Sequence, residues 1–148
     1  MALLGYGTVG KGVYNTIQSH QTRLQQIYGK PVKVVAILVK HLQKHVNPSP
    51  EILLTDNFSE IEQIPDLHIV VETIVGTEPA YTYCKKSIKK GCHLVTANKE
   101  MFAHFGEELI SLAKRFNVSV GFEATVAGGI PVIGTIRQLY QINKIERL

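Results

Sequence analysis

Met1-Ala-Leu-Leu-Gly5-Tyr-Gly7-Thr-Val-Gly10-Lys-Gly12 opens the chain, and its reading decides the fold. A short apolar run ends at Gly5, and three glycines follow in G-x-G-x-x-G spacing. An amphipathic helical pattern then starts at once, with Val9, Val13, Ile17, Leu24 and Ile27 as its apolar positions. The order is strand, tight turn, helix N-terminus. In that arrangement Gly5 permits the turn, Gly7 lets a pyrophosphate approach the backbone, and Gly10 lets helix and strand pack closely. The helix aims its free N–H groups and positive dipole end at the phosphates. A glycine-rich strand–helix turn with no ligand would use the same spacing. The apolar run before it and the helical pattern after it favour the dinucleotide reading.

Outward from that turn, strands alternate with helices. Pro31 interrupts the first helical pattern, and 32–39 reads as a buried strand with too few polar residues for an open face. The polar, proline-containing stretch 40–50 reads as loop, 52–55 as a short strand and 57–63 as a short helix. A buried strand follows over 68–72. Thr77-Glu-Pro79 supplies a capping hydroxyl, an acid and a first-turn proline for a helix that runs to Lys90 and stops at Gly91. The next strand covers 93–97, and the helix after it places Phe102, Phe105, Leu109, Leu112, Ala113 and Phe116 on one face. Another strand spans 118–123, Gly128-Gly-Ile-Pro131 opens a last helix through about Tyr140, and 144–148 reads as the start of one more strand. This alternation predicts an α/β domain, a doubly wound parallel sheet with helices on both faces, of the Rossmann dinucleotide-binding type. Ligands of such sheets bind beyond the carboxyl ends of the strands.

Composition narrows the class. The 148 residues are 45% apolar and 19% charged, with no apolar run near the ~20 residues of a membrane span and no signal-peptide pattern, so cytoplasm is the expected location. Cys84 and Cys92 fit neither a disulfide framework nor a zinc site and read as buried or semi-buried free thiols. The net charge of +4 is mild, and its densest basic group, Lys85, Lys86, Lys89 and Lys90, lacks interleaved aromatics. A helix surface explains that group better than a nucleic-acid track.

The strand ends nominate the chemistry. After the second strand, where an Asp or Glu usually meets the ribose 2′-hydroxyl, the chain has Val39-Lys40-His41. Lys40 would attract a 2′-phosphate, which points to NADP(H); a solvated basic loop is the alternative. Lys99, directly after a strand, can stabilise a developing alkoxide or hold a carboxylate, or be a surface charge only. Glu123 precedes a loop of small residues, 124–129, where an acid beside exposed carbonyls can hold a hard cation. On spacing alone, a helix-capping or ion-paired glutamate is favoured there.

At these residues the chain resembles the nucleotide-binding region of homoserine dehydrogenases. The stretches that carry the resemblance are Leu4-Gly-Tyr-Gly-Thr-Val-Gly-Lys-Gly-Val13, Val70-Val-Glu-Thr-Ile-Val-Gly-Thr-Glu-Pro79, His93-Leu-Val-Thr-Ala-Asn-Lys99 and Phe122-Glu-Ala-Thr-Val-Ala-Gly-Gly-Ile-Pro131. The last two are far more specific than the glycine spacing. The resemblance implies NAD(P)-dependent interconversion of L-homoserine and L-aspartate 4-semialdehyde, on the route to threonine and methionine. It implies that Thr8 and Val9, within the Gly5–Gly7–Gly10 turn, contact cofactor phosphates. Ile74, Val75 and Gly76 would lie on the nicotinamide side, and Lys99 would be an active-site lysine touching substrate or nicotinamide. It further implies a monovalent-cation site, usually sodium, at Glu123 and the carbonyls of Val126, Gly128 and Ile130. Members of the family continue into a substrate-binding and dimerisation region that is not in this sequence. Residues 1–148 are therefore expected to be a cofactor domain, 141–148 leading toward that region, inactive alone and oligomeric through it.

Two other classes compete. A semialdehyde dehydrogenase or other small-aldehyde reductase commonly needs a nucleophilic cysteine at a strand–helix junction, and Cys84 and Cys92 fall elsewhere. A non-catalytic dinucleotide-sensing module has no need of Lys99 at the crevice and would usually bring a DNA-binding or partner helix, which the sequence does not show.

Overall fold

In the computed structural model, which describes residues 1–142, six parallel strands form one sheet in the order β3-β2-β1-β4-β5-β6. The strands are β1 (Ala2–Leu4), β2 (Ala36–Leu38), β3 (Leu53–Thr55), β4 (Ile69–Glu72), β5 (His93–Thr96) and β6 (Val120–Gly121). The helices are α1 (Thr8–Ser19), α2 (Gln21–Tyr28), α3 (Phe58–Glu62), α4 (Ala80–Lys89), α5 (Lys99–Arg115) and α6 (Val132–Ile142). The strand order reverses beside β1, between β2 and β4, and such a reversal opens a crevice at the carboxyl ends.

Side-chain alternation along the strands sorts the core into two layers. Ala2, Leu4, Ala36, Leu38, Val70 and Leu94 face α3, α4 and α5, where they meet Phe58, Ile61, Cys84, Ile88, Met101 and Leu109. Leu3, Ile37 and Val71 point the other way, toward Val13, Tyr14 and Ile17 of α1. That second layer thins toward β6, and Val95, the register partner of Val71 on β5, is 40% exposed.

Several expected elements are corrected. The first helix does not run through to Ile27: it breaks at His20, where Ser19 Oγ and His20 Nδ1 both bond the Thr16 carbonyl. Such local side-chain bonds compete with the helical ladder. The separate α2 buries none of its residues, and Ile27 is exposed. Ladder pairing in the second strand is confined to Ala36–Leu38, although main-chain bonds from Val35 to Met1 and from Val39 to Thr55 continue it at both ends. Thr77 does not cap α4 with its hydroxyl. Its carbonyl accepts from Tyr81 N, and Glu78 Oε2 accepts from Thr82 N at 3.4 Å. On α5 the fully buried residues are Met101, Gly106, Leu109 and Ala113, with Phe105 and Leu112 packed half-buried against the same core; Phe102 instead stacks on Phe122, and Phe116 is exposed. The strand expected over 144–148 lies outside the described residues.

Cys84 and Cys92 are free and buried. Three of the basic residues grouped on α4 tie it to its neighbours: Lys85 pairs with Glu108 at 3.2 Å and Lys86 with Glu62 at 3.0 Å, while Lys90 Nζ bonds the Glu62 carbonyl. Among the described residues no helix is long and apolar enough to cross a membrane.

Candidate nucleotide site

The glycine turn is built by backbone demands that its sequence meets. Gly5 has φ +101°, a value side chains rarely adopt, and its N–H donates to the Leu38 carbonyl at 2.9 Å. A Cβ on Gly10 would lie 2.2 Å from the Gly5 carbonyl oxygen, so only glycine lets α1 start this close to β1. At Gly7 the reverse holds: a Cβ would meet nothing within 4 Å. Gly7 is also the N-cap of α1. No side chain caps this helix, and its first turn carries no acid. The result is open space at Gly7 with helix N–H groups and the positive dipole end behind it, which suits a pyrophosphate. Val9, on the same first turn, is 53% exposed.

The other strand ends are fastened to this turn. Thr73, just after β4, donates from Oγ1 to the Leu4 and Gly5 carbonyls at 3.2 Å each, and its N–H donates to Leu4 at 2.8 Å. Ile74, Val75 and Gly76 follow as a bend beside the glycine turn, with Gly76 at φ +90° and Val75 93% exposed. On the opposite flank, Lys40 is exposed after β2, and the His45 ring lies 6.1 Å from that of Tyr6, inside the glycine turn. The loop holding Lys40, His41 and Lys44 is thereby drawn alongside the turn.

Beneath residues 74–76 lies a buried polar cluster to which the sequence reading gave no role. Glu72 ends β4 with no exposed surface, and its carboxylate accepts from Ile74 N at 2.6 Å and Thr96 Oγ1 at 2.6 Å, with Asn98 Nδ2 at 3.5 Å. Asn98 Nδ2 also donates to the carbonyls of Ile74 (3.0 Å) and Gly76 (2.7 Å), while its Oδ1 accepts from Met101 N and so caps α5. Lys99 is the first residue of that helix, exposed and without an ion pair among the described residues. An acid closing a buried strand and an Asn directly before a helix were both visible signals. Their meeting was not, because 26 residues separate them.

Burial pushes the Glu72 carboxyl above the ordinary carboxylate range, although its hydrogen bonds pull the other way. The sign of the consequence follows. Between the ordinary value and the raised one, the folded chain holds a proton the unfolded chain has released, so stability falls as pH rises through that window. Urea denaturation across the weakly acidic range is expected to show this slope in the wild type and to lose it in Glu72→Gln. Equal slopes in the two proteins would remove Glu72 as its source.

Glu123, in a 3-10 turn after β6, has its carboxylate against the N-terminus of α6. Oε1 accepts from Ile133 N at 2.8 Å and Oε2 from Gly134 N at 3.2 Å. Helix capping is thus its observed contact. Lys99 shares a shallow depression with Phe102, Ala103, Thr125 and Val126, so the lysine and the small-residue loop border one space. Ile130 is exposed, and Ala127 and Gly128 both have positive φ. No cluster of three His, Cys, Asp or Glu side chains suited to a metal occurs among the described residues.

Residues 5–123 match the family described as homoserine dehydrogenase, NAD binding domain. The chain belongs to this family. It is 39% identical to homoserine dehydrogenase of Bacillus subtilis strain 168, over all of this chain and 34% of the relative. The crystal structure of a homoserine dehydrogenase from Thiobacillus denitrificans superposes with a TM-score of 0.88 at 38% identity, covering 98% of this chain and 34% of that one. A hyperthermophilic archaeal homoserine dehydrogenase in complex with NADPH gives a TM-score of 0.74 at 26% identity, covering 93% of this chain and 47% of that one. The chain thus spans about a third of the length of the curated homoserine dehydrogenases it matches. The glycine turn and strands β2 to β6 lie within the residues that match this NAD binding domain family.

Proposed function

We propose that this domain binds NADP(H) and, as part of a protein of the relatives' length, serves hydride transfer between L-homoserine and L-aspartate 4-semialdehyde. The observation that carries the reading is the uncapped α1 N-terminus behind Gly7, beside a loop that Asn98 ties to the helix of Lys99. When bound, the nicotinamide supplies the hydride chemistry. The chain's own residues do the rest. Gly5, Gly7, Thr8, Val9 and Gly10 cradle the pyrophosphate; Ile74, Val75 and Gly76 border the nicotinamide; the Lys99 ammonium orients the substrate and stabilises negative charge on its oxygen. The surroundings are then cytoplasmic amino-acid biosynthesis toward threonine and methionine, and oligomerisation falls to the part of the relatives beyond this chain. Isothermal titration with NADPH tests the reading: saturable binding at one site supports it, and no binding at millimolar cofactor sinks it.

The preference for NADP(H) over NAD(H) rests on Lys40. Replacing an attractive charge by a repulsive one, Lys40→Asp should shift preference toward NAD(H) by about 1 kcal/mol or more. Titrations of both cofactors check it, and a preference untouched by the substitution would return Lys40 to a solvated loop.

A monovalent cation, sodium, is assigned to Glu123 with the carbonyls of Val126, Gly128 and Ile130. Two α6 N–H groups use part of a carboxylate that offers about four acceptor positions, which leaves capacity to face a cation. Exchanging sodium for tetramethylammonium is expected to lower the thermal midpoint. Glu123→Gln, which keeps an acceptor for the helix, should abolish the difference.

A further inference from the structure

The Asn98 side chain makes contacts on both of its faces that belong to two different parts of the site. Its amide N–H groups reach the Ile74 and Gly76 carbonyls at 3.0 and 2.7 Å, and its oxygen receives the Met101 N–H at 3.0 Å in the first turn of α5. Only one orientation of the amide satisfies this arrangement, since two carbonyls lie on one side and a backbone donor on the other. The buried Glu72 carboxylate, 3.5 Å from the same nitrogen, favours that orientation, and Thr96 Oγ1 holds both ends by donating to Glu72 and accepting from Asn98 N. Asn98 itself is only 7% exposed. Ile74 is also held by its N–H bond to Glu72, but beyond it Val75 is almost wholly exposed and Gly76 stands at positive φ, so the Asn98 bond to the Gly76 carbonyl fastens the outer part of the loop.

We propose that Asn98 is a positioning residue that locks the 74–76 loop to the first turn of α5, so that the nicotinamide-side loop and Lys99 form one rigid unit, with Glu72 setting the amide's orientation. The proposal rests on the dinucleotide reading above and adds to it a specific division of labour. The glycine turn grips the pyrophosphate whether or not Asn98 is present. The Asn98 clamp acts only on the part of the ligand that lies against residues 74–76.

Asn98→Ser separates the two functions. A serine hydroxyl still caps α5, but it is too short to reach the Ile74 and Gly76 carbonyls. The expected result by titration calorimetry is about tenfold weaker binding of NADPH, the loss of two ordinary hydrogen bonds' worth of loop order. Binding of 2′-phospho-ADP-ribose, which has the same phosphates and no nicotinamide, should be unchanged. Equal losses for both ligands, or no loss for either, would overturn the positioning role while leaving the dinucleotide site standing. Failure of the wild-type chain to bind either ligand would overturn the dinucleotide reading and this one with it. A second measurement needs no variant. In the wild type, NADPH should slow amide exchange at Val75, whose peptide carbonyl Asn98 holds, and at Met101 together, because one side chain links the two peptide groups. Protection of Val75 without Met101 would overturn the rigid unit.

Discussion

Gly7→Val is expected to abolish NADPH binding, a loss of at least about a hundredfold in affinity, while unfolding stays cooperative and the midpoint moves little. The space around Gly7 is empty of protein, so the new side chain meets no clash within the fold. It would stand where the pyrophosphate must come against the backbone, so the clash falls on the ligand alone. Gly10→Ala provides the contrast. Its methyl would lie 2.2 Å from the Gly5 carbonyl, so the strand–helix junction itself must move, and stability and binding should fall together. Calorimetric titration and thermal denaturation of the two variants side by side read this out. If Gly7→Val bound NADPH normally, the nucleotide would have to lie elsewhere than at the α1 N-terminus.

The largest effect is expected in turnover. The 148-residue chain should bind cofactor yet oxidise homoserine immeasurably slowly, because it spans about a third of the homoserine dehydrogenases it matches and no group on it is assigned to the substrate's amine. Loose positioning of a reacting carbon costs several orders of magnitude in rate, on the order of the effective molarities that intramolecular reactions gain. Joined to the remaining two thirds of the Bacillus subtilis relative, the domain should recover activity. In that longer protein Lys99→Ala should lower kcat about a hundredfold or more, with a smaller change in KM. Reduced-nicotinamide absorbance with homoserine distinguishes the outcomes. Robust turnover by the short chain would mean that its substrate site is already complete. Full activity of the Lys99 variant would make that lysine a surface charge.

Much of the fold could be read locally. Each of the six strands falls within an apolar run of the sequence, and the parallel order is the one that alternation with helices implies. The errors share a cause. His20 breaks the first helix through side-chain bonds to Thr16, which periodicity does not register, and Phe102 and Phe116 kept helical spacing while meeting the Phe122 ring and solvent instead of the core that Phe105, Leu109, Leu112 and Ala113 pack against. Spacing reports which residues share a helix face, not what that face meets.

For the site, the sequence by itself determined the residues that backbone geometry makes irreplaceable. Gly5 at positive φ and Gly10 against the Gly5 carbonyl act within one short turn of six consecutive positions, while Gly7 between them faces open space and is demanded by the ligand alone. It also placed Lys99 at a strand end, a consequence of strand–helix alternation. Only the tertiary structure decided what holds that lysine. Glu72, Thr96 and Asn98 come from two strand ends more than 20 residues apart, and they meet because β4 and β5 pair in register, Glu72 opposite Thr96. The same holds for Glu123, whose carboxylate finds the α6 N-terminus ten residues on, after a loop whose path follows from Ala127 and Gly128 at positive φ. A buried carboxylate is tolerated only when donors surround it, and whether donors do so is fixed by packing between segments, not by the order of residues along one of them.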